Sequence, residues 1–461
     1  MAVRAIVLAA GKGTRMRSDA PKVLQRVAGR PIVSWVVDAV SGAGADEITV
    51  VVGHGADDVV GVLPDGVKAV VQEQQLGTGH ATIVAYESLG GVEGDAVLIV
   101  PGDSPLFLAE TLGRLVDAHA AGDAPCTLLT TRMPDPTGYG RVVRKDGGIV
   151  GIVEESDADD ATLALDEVSV STYVFDGAAL GDALGRLDDD NHQGEYYLTD
   201  VVGMLAAGSS VGAVVTHHEE TLGVNSHDQL AAADAVMRRR INADWMQKGV
   251  WMQDPERVYV DATATLEPGA RIYPGVHIEG TSTVGADAQI GPDTFLLDSA
   301  VGRGSRVWYS VLRGARVDEG VDVGPYASLR PGTVLHQGSK AGTFVEVKAS
   351  EVGKGSKVPH LSYIGDATIG EDSNIGAGTI TCNYDGFQKH RTVIGSRVFV
   401  GSDTMLVAPV ELGDGSFTGA GSVISKDVGP GALGVERSPQ KEIPGYADRR
   451  ARKVDEKGEE H

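Results

Sequence analysis

The sequence predicts two unlike folds in one chain, an α/β half built on a parallel sheet and then a parallel β-helix of hexapeptide repeats. Three observations carry this. First, an aliphatic residue returns at every sixth position from Val260 through Leu266, Ile272, Ile278, Val284 and Ile290 to Leu296. The phase resumes over Val317, Val323, Leu329 and Leu335, and again over Ile394, Val400, Leu406 and Leu412, with Thr418 and Ile424 keeping it. A helix would repeat at three and four and an alternating strand at two, so neither explains the period. Short strands wound into stacked coils do, because each turns one aliphatic into a common core. Second, four residues after most of these stands a small or β-branched residue, such as Ala264, Ala270, Ser282, Ala288, Thr294, Ala327, Thr333, Thr404 or Ser416. Third, the first half alternates aliphatic runs at 5–8, 48–52, 67–71 and 96–100 with helical patterns at 32–40, 78–89 and 111–120. Buried parallel strands joined by helices make a doubly wound sheet, whose ligand site is expected at the carboxyl ends of the strands.

Taken in order, residues 1–228 form the α/β domain, in which the strand-like runs from Cys126 to His217 are expected as a mixed extension over the site. Residues 229–250 have helical composition and read as a connecting helix, the run Arg238, Arg239, Arg240 being its solvated face. The β-helix domain occupies 251–446, with its repeats from about Val258 to Val428. The charged tail at 447–461, with Lys453, Glu456, Lys457, Glu459 and Glu460, is expected to be disordered.

The 461 residues carry 40 basic against 64 acidic side chains, a net charge of -24 that opposes general binding to nucleic acid or to an anionic membrane. An anionic substrate must therefore meet a local basic pocket. Cys126 and Cys382 lie far apart without metal-ligand spacing, and the first residues lack the apolar core of a signal peptide. No stretch approaches the roughly 18 apolar residues of a spanning helix. A reducing cytoplasm is the expected location.

The first run enters Leu8-Ala9-Ala10-Gly11-Lys12-Gly13-Thr14-Arg15-Met16, with Pro21-Lys22 shortly after. A glycine-rich turn leaving a strand offers backbone N–H groups to phosphate oxygens. The dinucleotide fingerprint would need a glycine at Met16, and the P-loop a different spacing of glycine and lysine, so neither applies. The turn with its following Pro-Lys resembles the sugar-nucleotide pyrophosphorylases, which join a sugar 1-phosphate to a nucleoside triphosphate. Asp103, ending Val100-Pro101-Gly102-Asp103, is placed where a carboxylate can hold Mg²⁺ against phosphates. By the same resemblance Gln72 with Gly77 and Thr78 reads a uracil ring, Gly140 and Glu154 grip the sugar, and Asn225 is the second metal ligand. Leu8 to Gly11, Arg15 and Lys22 would hold the triphosphate, the last two as catalytic cations. One segment departs from the pattern: Ser169, in Val168-Ser169-Val170-Ser171, stands where the family has a sugar-binding asparagine. A hydroxyl is shorter and offers one donor instead of two.

Polar residues interrupt the β-helix at Arg330, Lys348, His360 to Tyr363, Asn374 and Thr381 to Asp385. With coils of about 18 residues, Arg330, Lys348 and the His360 segment stack near one edge, two cations beside a histidine. These segments and the first half together resemble the bifunctional N-acetylglucosamine-1-phosphate uridylyltransferase / glucosamine-1-phosphate N-acetyltransferase family over nearly the whole chain. The resemblance implies a Rossmann-like nucleotidyltransferase domain, a left-handed β-helix, a homotrimer with acetyl-CoA between neighbours, and UTP, glucosamine 1-phosphate and N-acetylglucosamine 1-phosphate as further substrates. It makes His360 the general base on the sugar amine, a task suited to a group that titrates near neutrality. Arg330, Lys348, Tyr363, Asn374 and Lys389 would hold the sugar phosphate, and Asn383, Tyr384, Ser402, Ala420 and Arg437 the acetyl-CoA. Direct attack of the amine on the thioester needs no acyl-cysteine at Cys382. The product would be UDP-N-acetylglucosamine, a bacterial envelope precursor. Rival readings are a monofunctional nucleotidyltransferase with a structural β-helix, a non-enzymatic scaffold, and an acetyltransferase whose first half is inactivated by the change at Ser169.

Overall fold

Alternate residues of the first-half strands face two different apolar clusters, so each strand is buried on both sides. Val7, Val50, Leu98 and Val100 pack with Val33, Val36, Leu112 and Leu115, whereas Ile6, Val51, Val97 and Ile99 pack with Ala81, Ala85, Leu180 and Val201. Such strands read as unbroken aliphatic runs because neither face meets water. The computed structural model describes the chain apart from residues 12, 17–19 and 459–461; Lys12 of the glycine-rich turn and Glu459 and Glu460 of the tail lie outside the described residues.

Among the described residues the sheet runs in the order Gly212–Val215, Cys126–Arg132, Glu167–Asp176, Ala96–Pro101, Val3–Leu8, Glu47–Val52, Lys68–Val71. The last four are mutually parallel, with Ile6 opposite Thr49 on one side and Ile99 on the other. The segment from Cys126 to His217 is not a separate layer. Three of its strands continue the same sheet, Glu167–Asp176 running antiparallel to both Ala96–Pro101 and Cys126–Arg132, and the hairpin Arg141–Lys145 with Gly148–Val153 branches from it. Strand composition was readable there; the edge on which each strand pairs leaves no local trace in sequence.

The helix His227–Gln247 is not a free connector. Ala233, Val236 and Met237 pack on Met16, Val27, Ile32 and Leu106, and the helix belongs to the first compact unit as far as Trp245. Of its arginine run only Arg239 is a solvated side chain. Arg238 lies over the Tyr259 ring at 4.5 Å, Arg239 pairs with Glu219 at 3.2 Å, and Arg240 donates to the Leu106 carbonyl at 2.7 Å.

The second compact unit comprises Met246–Val258 and the chain from Ala264 onward. It is a left-handed parallel β-helix of three sheets, with eleven, ten and nine strands among the described residues. Ile272, Ile290, Val307 and Val323 stack in one column, Ile278, Leu296, Leu312 and Leu329 in a second, and Leu266, Val284, Val301 and Val317 in the third. All are buried, each contributing roughly 1.5–3 kcal/mol relative to exposure. The lapses of phase near 300 and 340–390 are changes of coil length: hydrogen bonds between coils span 16 residues at Ser299/Ala315, 17 at Ser356/Ser373 and 25 at Ser373/Val398. The longest step makes room for a projecting loop between strands Ile380–Cys382 and Thr392–Ile394. The small residues between aliphatics sit at tight corners, where a buried hydroxyl bridges coils. Ser350 Oγ donates to the Lys348 carbonyl at 2.8 Å and accepts from Ala367 N at 2.8 Å.

At one corner bulky residues adopt left-handed backbone. Tyr309, Tyr326, Phe344 and Leu361 have φ of 46°, 60°, 56° and 49°, a conformation that costs roughly 1–2 kcal/mol for an L-residue. They form an exposed ladder, Tyr326 stacked on Phe344 at 5.4 Å. The charged tail, expected to be disordered, forms a helix over Tyr446–Gly458, with residues 446–454 exposed. Its alanine, arginine and lysine content favours helix. No helix among the described residues is long and apolar enough to cross a membrane.

Candidate functional site

The carboxyl ends of Val3–Leu8 and Ala96–Pro101 open into one cavity of about 700 Å³. Leu8, Ala9, Ala10, Gly11, Arg15, Lys22, Gln72, Gly77, Thr78, Asp103, Gly140, Glu154 and Asn225 all line it. Gly13 is required beneath the turn: its φ is +60°, and an added Cβ would stand 2.7 Å from Cβ of Lys22. The Lys22 ammonium, largely buried, pairs with Asp103 and donates to Asn225 Oδ1 at 2.8 Å. The loop carrying Asn225 is tied to Asp103, since Val224 N donates to the Asp103 carbonyl at 2.9 Å, and Asn225 N donates to Gln229 Oε1 at 2.8 Å. Two hard oxygens thus converge on one cation.

Gln72 is buried, and its amide nitrogen is spent on the Gly77 carbonyl at 3.2 Å and His80 Nδ1 at 3.0 Å. Among the described residues its side-chain carbonyl accepts no hydrogen bond. At the other end, burial pushes the Glu154 carboxyl up, opposed by Thr199 Oγ1, which donates to it at 2.9 Å. A Cβ on Gly140 would lie 2.9 Å from Ile152 and 3.3 Å from Glu154, so the backbone must pass bare. Ser169 is beside it, its N–H donating to the Gly140 carbonyl at 2.9 Å. Its hydroxyl meets the buried Tyr173 hydroxyl at 3.1 Å across a bulge in which Ser171 has φ of +54°. Sequence reasoning missed Gln75, Thr199 and Gln229, which lie outside any motif; Gln75 Nε2 holds the Ala10 carbonyl at 2.7 Å.

On the β-helix the register corrects the simple stacking expectation. Leu329 pairs with Val347, which puts Arg330 and Lys348 on consecutive coils, but Lys348 then pairs with Gly365. His360 ends the strand Lys357–His360 of the adjoining sheet, one corner away, because it follows Lys348 by 12 residues, two-thirds of a coil. Asn374 lies one coil beyond it, in the same sheet. His360 is exposed, and among the described residues its ring has no hydrogen-bond partner. Arg330, Lys348, Tyr363 and Lys389 act on one another electrostatically: Lys348 depresses the Lys389 amine, and Arg330 adds to that. Gly365 lies beneath them, where a Cβ would collide with the Tyr363 hydroxyl and approach the Asn383 amide to 2.8 Å.

The projecting loop carries Tyr384, exposed, its hydroxyl donating to the Gly386 carbonyl at 2.6 Å. Asp385 braces the loop by accepting from Gln388 N, His390 Nε2 and Phe387 N, which holds its carboxyl well below the usual range. Ser402 and Ala420 occupy equivalent places on successive coils, and Arg437 Nη1 donates to the Ala420 carbonyl at 2.8 Å. Burial pushes the Cys382 thiol up, away from the thiolate that an acyl-cysteine route needs.

Both halves also match known families. A family model described as a MobA-like NTP transferase domain matches residues 5–147, and one described as bacterial transferase hexapeptide (six repeats) matches residues 391–426. A relative from Streptomyces coelicolor, named bifunctional protein GlmU, is 47% identical over 453 residues, covering 96% of this chain and 94% of its own. Relatives of the same name from Caldanaerobacter subterraneus and Heliobacterium modesticaldum are 46% and 47% identical, covering 97% and 95% of this chain and 98% and 96% of their own.

Proposed function

The chain belongs to the bifunctional GlmU family, and from that membership and its two built sites we infer that it is a bifunctional transferase. It acetylates glucosamine 1-phosphate with acetyl-CoA and then transfers UMP from UTP to N-acetylglucosamine 1-phosphate, giving UDP-N-acetylglucosamine and pyrophosphate for cell-wall precursor synthesis. The observation that carries this reading is identity of 46–47% over alignments that span both halves, which neither a passive β-helix nor a decayed nucleotidyltransferase would be expected to keep.

In the uridylyl transfer a phosphate oxygen of the sugar phosphate bonds to the α-phosphorus of UTP as the bond to pyrophosphate breaks. The phosphate is already nucleophilic, so the protein's task is placement and neutralisation of charge. Arg15 and Lys22 supply the cations, backbone from Leu8 to Gly11 cradles the phosphates, and the Gln72 carbonyl accepts the uracil N3–H beside Gly77 and Thr78. Gly140 and Glu154 hold the sugar. Asp103 and Asn225 suit Mg²⁺, since their hard oxygens already share one cation in Lys22. Mg²⁺ bound there would offset the negative charge of the phosphates.

For acetyl transfer, His360 takes the proton as the sugar amine bonds to the thioester carbonyl carbon, and as the carbon–sulfur bond breaks that proton passes to the CoA sulfur, which leaves as the thiol. Arg330, Lys348, Tyr363, Asn374 and Lys389 bind the sugar phosphate. Asn383, Tyr384, Ser402, Ala420 and Arg437 bind acetyl-CoA, with Ser402 or backbone near Tyr384 donating to the oxyanion. The enzyme acts in the cytoplasm as a homotrimer. An exposed aromatic ladder on strained backbone supports the assembly, since a surface held at that cost is better explained by a partner than by solvent. Phe344→Lys is accordingly expected to lower the mass measured by light scattering from three chains to one; an unchanged trimer would place the interface elsewhere.

The test of the whole reading supplies glucosamine 1-phosphate, acetyl-CoA, UTP and Mg²⁺ and follows free thiol and pyrophosphate separately. Both signals are expected, pyrophosphate depending on thiol release unless N-acetylglucosamine 1-phosphate is added. Thiol without pyrophosphate even then would leave the first half inactive, as the rival reading of Ser169 has it.

A further inference from the structure

Asp366 is selected by no motif and no phase of the repeat. It follows the strand Tyr363–Gly365 with φ of +51°, and its carboxylate is the meeting point of two segments far apart in sequence. Lys348 Nζ donates to both of its oxygens, at 2.8 and 3.0 Å, and Asn383 Nδ2 donates to one of them at 2.5 Å. The backbone repeats the tie: Asp366 N donates to the Lys348 carbonyl at 3.0 Å, and the Asp366 carbonyl accepts from Thr392 N at 3.2 Å, where the projecting loop rejoins the coil. Lys348 and Asp366 are mostly buried, with side chains 17% and 21% exposed, so the pair is partly shielded from competing water and salt.

We propose that Asp366 is a positioning residue of the acyl-transfer site, holding Lys348 and the Asn383 amide on one carboxylate so that the sugar-phosphate side and the acyl-donor side keep a fixed spacing. The proposal rests on the assignment of Lys348 to the sugar phosphate and Asn383 to acetyl-CoA. The lysine has four rotatable bonds, and Asn383, though buried, stands at the root of a loop. A shared carboxylate removes that freedom before substrate arrives, which is how preorganisation strengthens binding. The charge matters as well as the geometry. Hydrogen bonding to Asp366 raises the Lys348 ammonium, with Tyr363 acting in the same direction, and Lys348 in turn depresses the neighbouring Lys389 amine, Arg330 adding to that and Asp366 opposing it. Glu346 already pairs with Arg330 at 2.9 Å, so without the Asp366 carboxylate Lys348 and Lys389 would repel each other with no carboxylate of their own, and one amine would lose its proton at lower pH.

Asp366→Asn isolates these effects, because asparagine is nearly isosteric and tolerates left-handed backbone. The KM for glucosamine 1-phosphate is expected to rise on the order of tenfold, with a smaller change in kcat, as expected for lost charge-assisted hydrogen bonds. The upward limb of KM against pH should also begin at lower pH. Pyrophosphate release from UTP and N-acetylglucosamine 1-phosphate serves as the folding control and should not change. Asp366→Glu, which keeps the charge, should recover the pH profile of the unsubstituted protein; a profile displaced equally in both variants would overturn the charge-based role. Unchanged KM values for both substrates in Asp366→Asn would overturn the proposal itself. Absence of thiol release in the unsubstituted protein would instead overturn the acetyltransferase reading on which it rests.

Discussion

Replacing Asp103 by alanine is expected to reduce pyrophosphate release by about 10³-fold while leaving thiol release intact, the expected size for loss of one preorganised electrostatic contact at a transferring phosphate. The carboxylate does two things in this site. It neutralises the Lys22 ammonium, and with Asn225 it forms the two-oxygen pair that suits a divalent cation. Its backbone carbonyl also receives Val224 N, so the loop should keep its path when only the side chain is removed. The variant therefore tests charge and not folding. Steady-state rates with UTP and N-acetylglucosamine 1-phosphate are the measurement, and a loss below about tenfold would move the catalytic charge elsewhere.

The second large effect belongs to His360. His360→Ala should cost thiol release about 10²–10⁴-fold, the range of general base catalysis, with pyrophosphate release from supplied N-acetylglucosamine 1-phosphate unaffected. The ring is exposed and partnerless among the described residues, so its removal breaks no structural hydrogen bond. A variant retaining more than a tenth of the activity would show that the amine loses its proton to another group or to water.

The β-helix core was legible because its period is local: each hexad writes one buried aliphatic into sequence, and every residue of the three phased stretches is buried. The register of the functional residues was not. His360 follows Lys348 by two-thirds of a coil and so lies in the adjoining sheet, and the residues that meet across that corner are set by coil lengths that no single residue announces. In the first half the cavity residues were found through motifs, since a glycine-rich turn and an aspartate at a strand end each have a chemical reason to be there. Gln75 and Thr199 hold that cavity through a side-chain bond to a carbonyl and to a carboxylate, made across the fold between residues that carry no signal of their own. Arg238 and Arg240 misled for a related reason: a charge run looks like a solvated face until the ring and carbonyl that receive it are known. Asp366 was passed over because aspartates recur at the corners of this domain, as at Asp287, Asp293 and Asp298, and only its two distant donors set it apart.

The single step of 25 residues has a consequence for how such a protein can change over evolutionary time. Above and below it the aliphatic columns run on unbroken, Ile369 pairing with Ile394 across the insertion as Val352 pairs with Ile369 before it. A solenoid corner can therefore lengthen outward without disturbing the stack, because its stability comes from nearest-neighbour coils. Chemistry carried on such a loop is free to drift in length and composition at little risk to folding, and new specificity can be tried without rebuilding the scaffold that presents it.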